Sequence, residues 1–413
     1  MRVKMDLKDL ENRLIRLTCD LVNIPTENRP PNGDEKHGQE YIKRTLSDMG
    51  LEITEISPFD IADFDENRAF LKERKYEGRN NIIGRWRGNG KGKSLLLSGH
   101  IDVAPKEPYP WTVTEPFESL VKNNRIYGRG SADMKGGLAC AISAMEFLKI
   151  NGFEPSGDII FESVVDEEFA GSTGTIVSRM LGYNADYGIL LEPTGLSICP
   201  ACVGGLVLRI TVTGMAGMPY TGEEIRNPAY AIAEVIGHLQ RYDDERRKKM
   251  ILPALWDKTP QKPQVVILKV KAGEVEPHGQ LSIPIDAWVE FVVQTLPGED
   301  VSQIICEIET CMSSIEKFRL EPQYHYCKAA APVQDDMALK MLTESVAELD
   351  SKANVCGAMF SCDLYAFEEF GDMPTVIFGP KGGRLHAPDE WVDIDSQMVV
   401  TRSLISFIRK WCG

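Results

Sequence analysis

The stretch LLLSGHIDVAP, residues 95–105, decides the fold. Three leucines that read as the end of a buried strand run into His100 and, two places on, Asp102, before Pro105 stops the strand. In an extended chain, positions i and i+2 face the same side, so the two ionisable groups point together beyond the strand end. An aspartate beside an imidazole can fix its tautomer and leave the other ring nitrogen as a ligand or a base.

The same arrangement recurs along the chain. GDIIFESVVDEE (157–168) is an apolar strand ending in Asp166, Glu167 and Glu168, and DYGILLEPTG (186–195) is another ending in Glu192. YGRGSADMKGG places Asp133 just ahead of a helix, GLACAISAMEFLKING (137–152), and GRLHAPDE supplies His386. Helical stretches near 7–23 and 37–50 alternate with strands near 51–57, 80–86 and 94–101, and a polar loop fills 62–80. Buried apolar strands alternating with helices predict an α/β fold, a mixed sheet with helices on both faces. Ligands of such sheets collect outside the carboxyl ends of the strands, where these acids stand.

Between about 204 and 321 the pattern becomes strand, long helix, two strands, helix, strand. That β-α-β-β-α-β order predicts an inserted ferredoxin-like lid. The expected organisation is a discontinuous catalytic domain, 1–203 and 322–413, interrupted by a lid and dimerisation domain at 204–321.

Gathering so many carboxylates with two imidazoles in one cleft is strongly unfavourable without cations, because like charges at short range cannot all stay ionised. Divalent metal removes the conflict. Imidazole and carboxylate ligands suit Zn²⁺, with Mn²⁺ or Co²⁺ as replacements. Two ions roughly 3.5 to 4 Å apart would need one bridging carboxylate, plus an imidazole and a further carboxylate each. The adjacent pair Glu167 and Glu168 then offers one ligand and one general base.

Composition narrows the partners. The 413 residues suggest two or three domains, and 43% apolar with 26% charged residues is a globular composition. A net charge of -15 argues against nucleic acid and anionic membranes, although metal or a local arginine can still draw a small anion into a pocket. The amphipathic N-terminus lacks a signal-peptide core and no run is long enough to span a bilayer, so a cytoplasmic location is expected. Ten scattered cysteines fit a reduced enzyme, and the CxxC at Cys199 and Cys202, lacking a second such pair, reads as structural.

SGHIDVAP, YGRGSADMKGGLA, VDEEFAGSTG, LLEPTG and LHAPDEWV, in this order, resemble the M20 family of metallopeptidases and deacylases. The likeness spans nearly the whole chain and implies a catalytic domain plus lid, two metal ions and a homodimer. It implies that His100, Asp133 and Glu192 hold one metal, and that Asp133 bridges to a second held by Glu168 and His386. Asp102 would orient His100, and Glu167 would carry a proton from water to the leaving amine. A cis peptide is implied after the bridging aspartate, at Asp133-Met134.

The lid departs from the family pattern. Met218 in GMAGMPY stands where many members have a histidine, Leu281 where an asparagine is frequent, and Gln294 where an arginine is usual. Tyr220, Arg226 and His278 are the polar lid residues that would contact substrate instead, with His278 first as the replacement oxyanion donor. Loss of anion-binding groups suggests a substrate without a free α-carboxylate facing the lid. The expected activity is hydrolysis of the amide bond of an N-acyl amino acid or related amine. The rivals are a metal-dependent dipeptidase or carboxypeptidase and, in another class, a non-catalytic metal-stabilised binding protein, which would have no use for a spare base at Glu167.

Overall fold

The computed structural model describes residues 4–66, 74–168, 173–215, 217, 222, 225–273, 283–323, 327–349, 351 and 354–413. They divide into one unit of Met1–Ala201, Ala331–Ala358 and Cys362–Gly413, and a second of Cys202–Ala330 with Met359–Ser361.

The first unit is built on an eight-stranded mixed sheet. Across it the strands run Val355–Ala358, Ile198–Cys202, Thr375–Ile377, Tyr187–Leu190, Leu95–His100, Ile159–Val164, Asn81–Trp86 and Glu52–Ile56. The four from Thr375–Ile377 to Ile159–Val164 are mutually parallel, so their carboxyl ends emerge along one edge. Antiparallel strands flank them on both sides.

Leu95–His100 and Ile159–Val164 are buried at every position, as strands covered on both faces must be. Helices Leu7–Val22, Gly136–Ile150 and Ile394–Trp411 pack their apolar residues into the same core as the sheet, where each fully buried leucine contributes about 1.5–3 kcal/mol. Leu7–Val22 starts at a capping box: Asp6 accepts the main-chain N–H groups of Lys8 and Asp9, and Leu10, Leu14, Leu17 and Leu21 follow on the inward face.

Gly136–Ile150 opens hard against the end of a strand. A Cβ on Gly137 would lie 2.1 Å from the main-chain oxygen of Leu191, so only glycine allows the approach. That approach sets Asp133, just before the helix, beside Glu192, just after the strand. The peptide from Asp133 to Met134 is cis, as expected.

Ile198–Cys202 and Val355–Ala358 were not legible as strands, being short and interrupted by proline, glycine and cysteine. The second of the two strands expected between the lid helices spans Asp286–Thr295.

The second unit is an antiparallel sheet ordered Val265–Ala272, Asp286–Thr295, Gly204–Thr213, Phe318–Pro322, with helices Pro228–Lys249 and Val301–Cys311. This is the ferredoxin-like arrangement. Leu206, Leu208, Ile210 and Val212 alternate inward along Gly204–Thr213 and pack with Val235, Leu239 and Ile308.

Candidate metal centre

Parallel strands deliver the site. His100 is the last residue of its strand, and Glu168 and Glu192 follow the ends of the two strands on either side. The His100 ring is buried, and its Nδ1 donates to the main-chain carbonyl of Asp102 at 2.9 Å. This bond leaves Nε2 facing the acids, with Asp133 Oδ1 at 3.2 Å, Glu192 Oε1 at 3.6 Å and Glu167 Oε2 at 3.8 Å.

A second imidazole approaches from the other side. His386 arrives on a loop at φ 53°, with Nε2 2.8 Å from Glu168 Oε2 and 3.2 Å from Asp133 Oδ2. The two oxygens of Asp133 are thus divided between the two histidines. Ligand atoms of His100, Asp133 and Glu168 all lie within 4.8 Å of one another.

Electrostatics show what this proximity costs. Attraction by Glu168, joined by Asp133, outweighs burial and raises the His386 imidazole to about 12. Burial would discharge His100, but Glu192, Asp133 and Glu167 hold its pKa well above the ordinary value. Burial would likewise raise Asp133, yet the two imidazoles keep it far below the usual carboxylate range. Glu192 is pushed up to about 7 by burial and by Asp133 and Glu168, against the pull of His100. Glu167 is raised well above the ordinary range by burial, with Asp363, Glu192 and Glu168 adding to it.

The donor set fits divalent cations. Among the described residues, four carboxylates, Asp133, Glu167, Glu168 and Glu192, converge with only two imidazoles. Glu192 Oε1 is buried without a hydrogen-bond partner among the described residues, although it lies 3.6 Å from His100 Nε2. Imidazole nitrogens with carboxylate oxygens suit ions of the zinc class.

Several supporting groups were not visible in the sequence. Glu390, fully buried four residues after His386, accepts Ala132 N–H at 3.0 Å and Asp133 N–H at 3.1 Å on one oxygen. Its other oxygen takes Arg129 Nη1 at 2.8 Å and Gly130 N–H at 3.1 Å. One carboxylate therefore ties the main chain of Asp133 to the segment that carries His386. Asp363, buried and bonded to Thr175, is a further acid whose charge is felt at Glu167.

Asp102 acts differently from the expectation that its carboxylate orients His100. Oδ1 stands 3.6 Å from Nδ1, while Oδ2 accepts Glu168 N–H at 3.0 Å and Asn28 Nδ2 at 2.8 Å. The strand ends at His100, so the main-chain carbonyl of Asp102 reaches the ring more directly than its side chain does. Asp166, read with the strand-end acids, lies apart from them. At φ 70° it turns away into ion pairs with Arg74 and Arg79 and a 3.1 Å bond from Asn28.

Of the anticipated substrate contacts, Tyr220 and His278 lie outside the described residues, as do Met218 and Leu281. Arg226 belongs to the second unit, where its Nη2 pairs with Glu316 Oε2 at 3.2 Å. Gln294 is tied internally: Oε1 accepts Gln264 N–H at 3.0 Å and Nε2 donates to the Met359 carbonyl at 3.2 Å. No described helix is long and apolar enough to cross a membrane.

The sequence pattern of peptidase family M20/M25/M40 matches residues 96–410. The N-formyl-4-amino-5-aminomethyl-2-methylpyrimidine deformylase of Halalkalibacterium halodurans is 26% identical over 97% of this chain and 95% of its own length. A succinyl-diaminopimelate desuccinylase of Methylobacterium radiotolerans is 31% identical over 50% of this chain, which spans 55% of that enzyme. Among solved structures, the di-peptidase Dug1p of Saccharomyces cerevisiae superposes with a TM-score of 0.78 at 14% identity, over 98% of this chain and 97% of that one, a likeness of fold.

Proposed function

Since the chain belongs to peptidase family M20/M25/M40 and is a metal-dependent hydrolase of C–N amide bonds, we propose that it removes an acyl group from an amine lacking a free α-carboxylate. The division of the Asp133 oxygens, one toward His100 and one toward His386, carries the reading of a two-ion centre. His100 and Glu192 would hold one ion and His386 and Glu168 the other, with Asp133 shared, and zinc is the metal that best suits the donors. Bound divalent ions supply Lewis acidity to the amide carbonyl and acidify the attacking water.

The chain's own residues do the rest. Glu167 faces His100 Nε2 at 3.8 Å, and takes the proton of the attacking water and returns it to the departing amine nitrogen. His100 is held in one orientation by its Nδ1 bond, and Glu390 holds the backbone of Asp133. Glu168 is oriented by Ala104 N–H at 2.9 Å and by the grip of Asp102 on its own N–H.

The substrate class rests on the absence of a described cation at the positions where the resemblance places acid-binding groups. Gln294 is spent on main-chain partners and Arg226 on Glu316. The deformylase relative is named for an aminomethylpyrimidine, which fits a neutral amine half. We place the catalytic domain at 1–203 and 322–413 and the inserted domain at 204–321. The exposed Val266, Ile267, Leu268 and Val270 on the edge strand Val265–Ala272 support a homodimer, and ten cysteines without a disulfide support a cytoplasmic setting.

The reading is tested by release of free amine from paired N-formyl and N-acetyl substrates, with and without an α-carboxylate, and from dipeptides, with zinc, manganese or cobalt supplied. We expect kcat/KM at least about tenfold higher for the uncharged amines, the equivalent of one lost charged contact of roughly 1.4 kcal/mol. Preference for N-acyl amino acids or dipeptides would overturn it.

A further inference from the structure

The CxxC of Ile198–Cys202 has no role in the metal centre, and the structure shows that its two cysteines are not each other's partners. The motif lies on a strand, where residues three apart face opposite sides, so Cys199 and Cys202 cannot close on one another. Cys199 instead meets Cys356, 157 residues away on the edge strand Val355–Ala358, with 4.0 Å between the sulfurs. We propose that Cys199 and Cys356 form a thiol–disulfide exchange site, at which a low-molecular-weight disulfide converts the pair to an intrachain disulfide.

Burial and chemistry assign the two roles. Cys356 is partly exposed at the sheet edge, whereas Cys199 is only 3% exposed, so reagent meets Cys356 first. Hydrogen bonds from the Cys199 thiol and from Ser197 outweigh burial and lower the Cys356 thiol to about 6, which makes it a thiolate near neutral pH. Burial does the opposite elsewhere, pushing Cys140 and Cys412 up to about 12. The sulfurs must approach from 4.0 Å to a bonded length of about 2.05 Å for the disulfide to close.

The exchange balances without any other oxidant. Cys356 thiolate attacks one sulfur of the reagent disulfide, forming a mixed disulfide and expelling one thiolate. Cys199 then loses its proton and attacks Cys356 Sγ, expelling the second. Two protein thiols are oxidised and one reagent disulfide is reduced to two thiols. The chain leaves the first unit after Ala201 and again after Ala358, so the new bond would join the two strands from which it does so.

The test uses the metal-loaded full chain, incubated with oxidised glutathione, quenched with acid, digested without reductant and mapped by mass spectrometry. In the wild type, glutathione should appear on Cys356 transiently and give way to a Cys199–Cys356 cross-linked peptide that has lost two hydrogens. Cys199→Ala should retain glutathione on Cys356, and Cys356→Ala should leave Cys199 reduced. The wild-type time course tests the order of events even if a variant fails to fold. Glutathione that persists on wild-type Cys356, or a Cys356 that stays reduced while the exposed Cys306 is modified, would overturn the proposal.

Discussion

Two buried clusters of acids lie on this one scaffold, and they are neutralised differently. Around Asp166 the chain provides its own cations: Arg79 lies 3.0 Å from Asp166 and also pairs with Glu35, Arg74 pairs with Asp166, and Asn28 links Asp166 to Asp102. Around Asp133 four carboxylates find only two imidazoles among the described residues, one of them 54% exposed. Guanidinium is permanently charged and forked to fit carboxylates, so the first cluster is complete as a framework. Imidazole can surrender its proton and become a ligand, so the second is complete only with ions from outside. A cluster that the chain neutralises is structure, and one that it leaves short of cations is a site.

The comparison can be broken most sharply at Glu167. Glu167→Gln should lower kcat by about 10²–10⁴-fold with little change in stability or metal content, because Glu167 makes no hydrogen bond among the described residues and only faces His100 Nε2 at 3.8 Å. Unchanged turnover would remove the assigned base.

In the other cluster the effect should fall on stability. Arg79→Met strands Glu35, which is fully buried and whose pKa burial already raises, and should cost about 3–5 kcal/mol in chemical denaturation. A variant as stable as the wild type would show that buried carboxylates here need no cation, and the inference of metal from charge would fall with it.

Smaller effects sharpen the contrast. Glu390→Gln should weaken metal affinity about 10–100-fold, read by titrating the stripped protein, because Asp133 loses its anchor. Smallest is a count of protons. In the metal-free state both imidazoles sit above their ordinary pKa, His386 at about 12, so each is charged at neutral pH and must lose its proton to ligate. Loading should therefore release at least about two protons per chain near pH 7, with the raised Glu192 carboxyl adding a further fraction, measured by calorimetry in buffers of different ionisation enthalpy, and affinity should fall as pH falls. No proton release would mean that the histidines are not ligands.

How much was legible differs between these clusters for a physical reason. His100, Glu168 and Glu192 could be anticipated because each follows an apolar run, and strand ends are written locally in hydropathy. Arg74 and Arg79 could not, because they sit in a polar stretch whose composition resembles any solvated loop, and only the fold buries them. The CxxC misdirects in the same way. Its spacing invites pairing within the motif, while the strand that carries it sends Cys199 toward a residue far along the chain.

The amino-acid order alone determined the alternation of buried strands and helices, the inserted ferredoxin-like unit and the family motifs, since periodicity and short motifs are properties of neighbours in the chain. Tertiary structure alone decided that Asp166 is framework rather than site, that the carbonyl of Asp102 rather than its carboxylate bonds His100, and that Glu390 clamps Asp133. Those outcomes depend on which groups from distant segments share a dielectric and a hydrogen-bond distance, and neither quantity exists until the chain has folded.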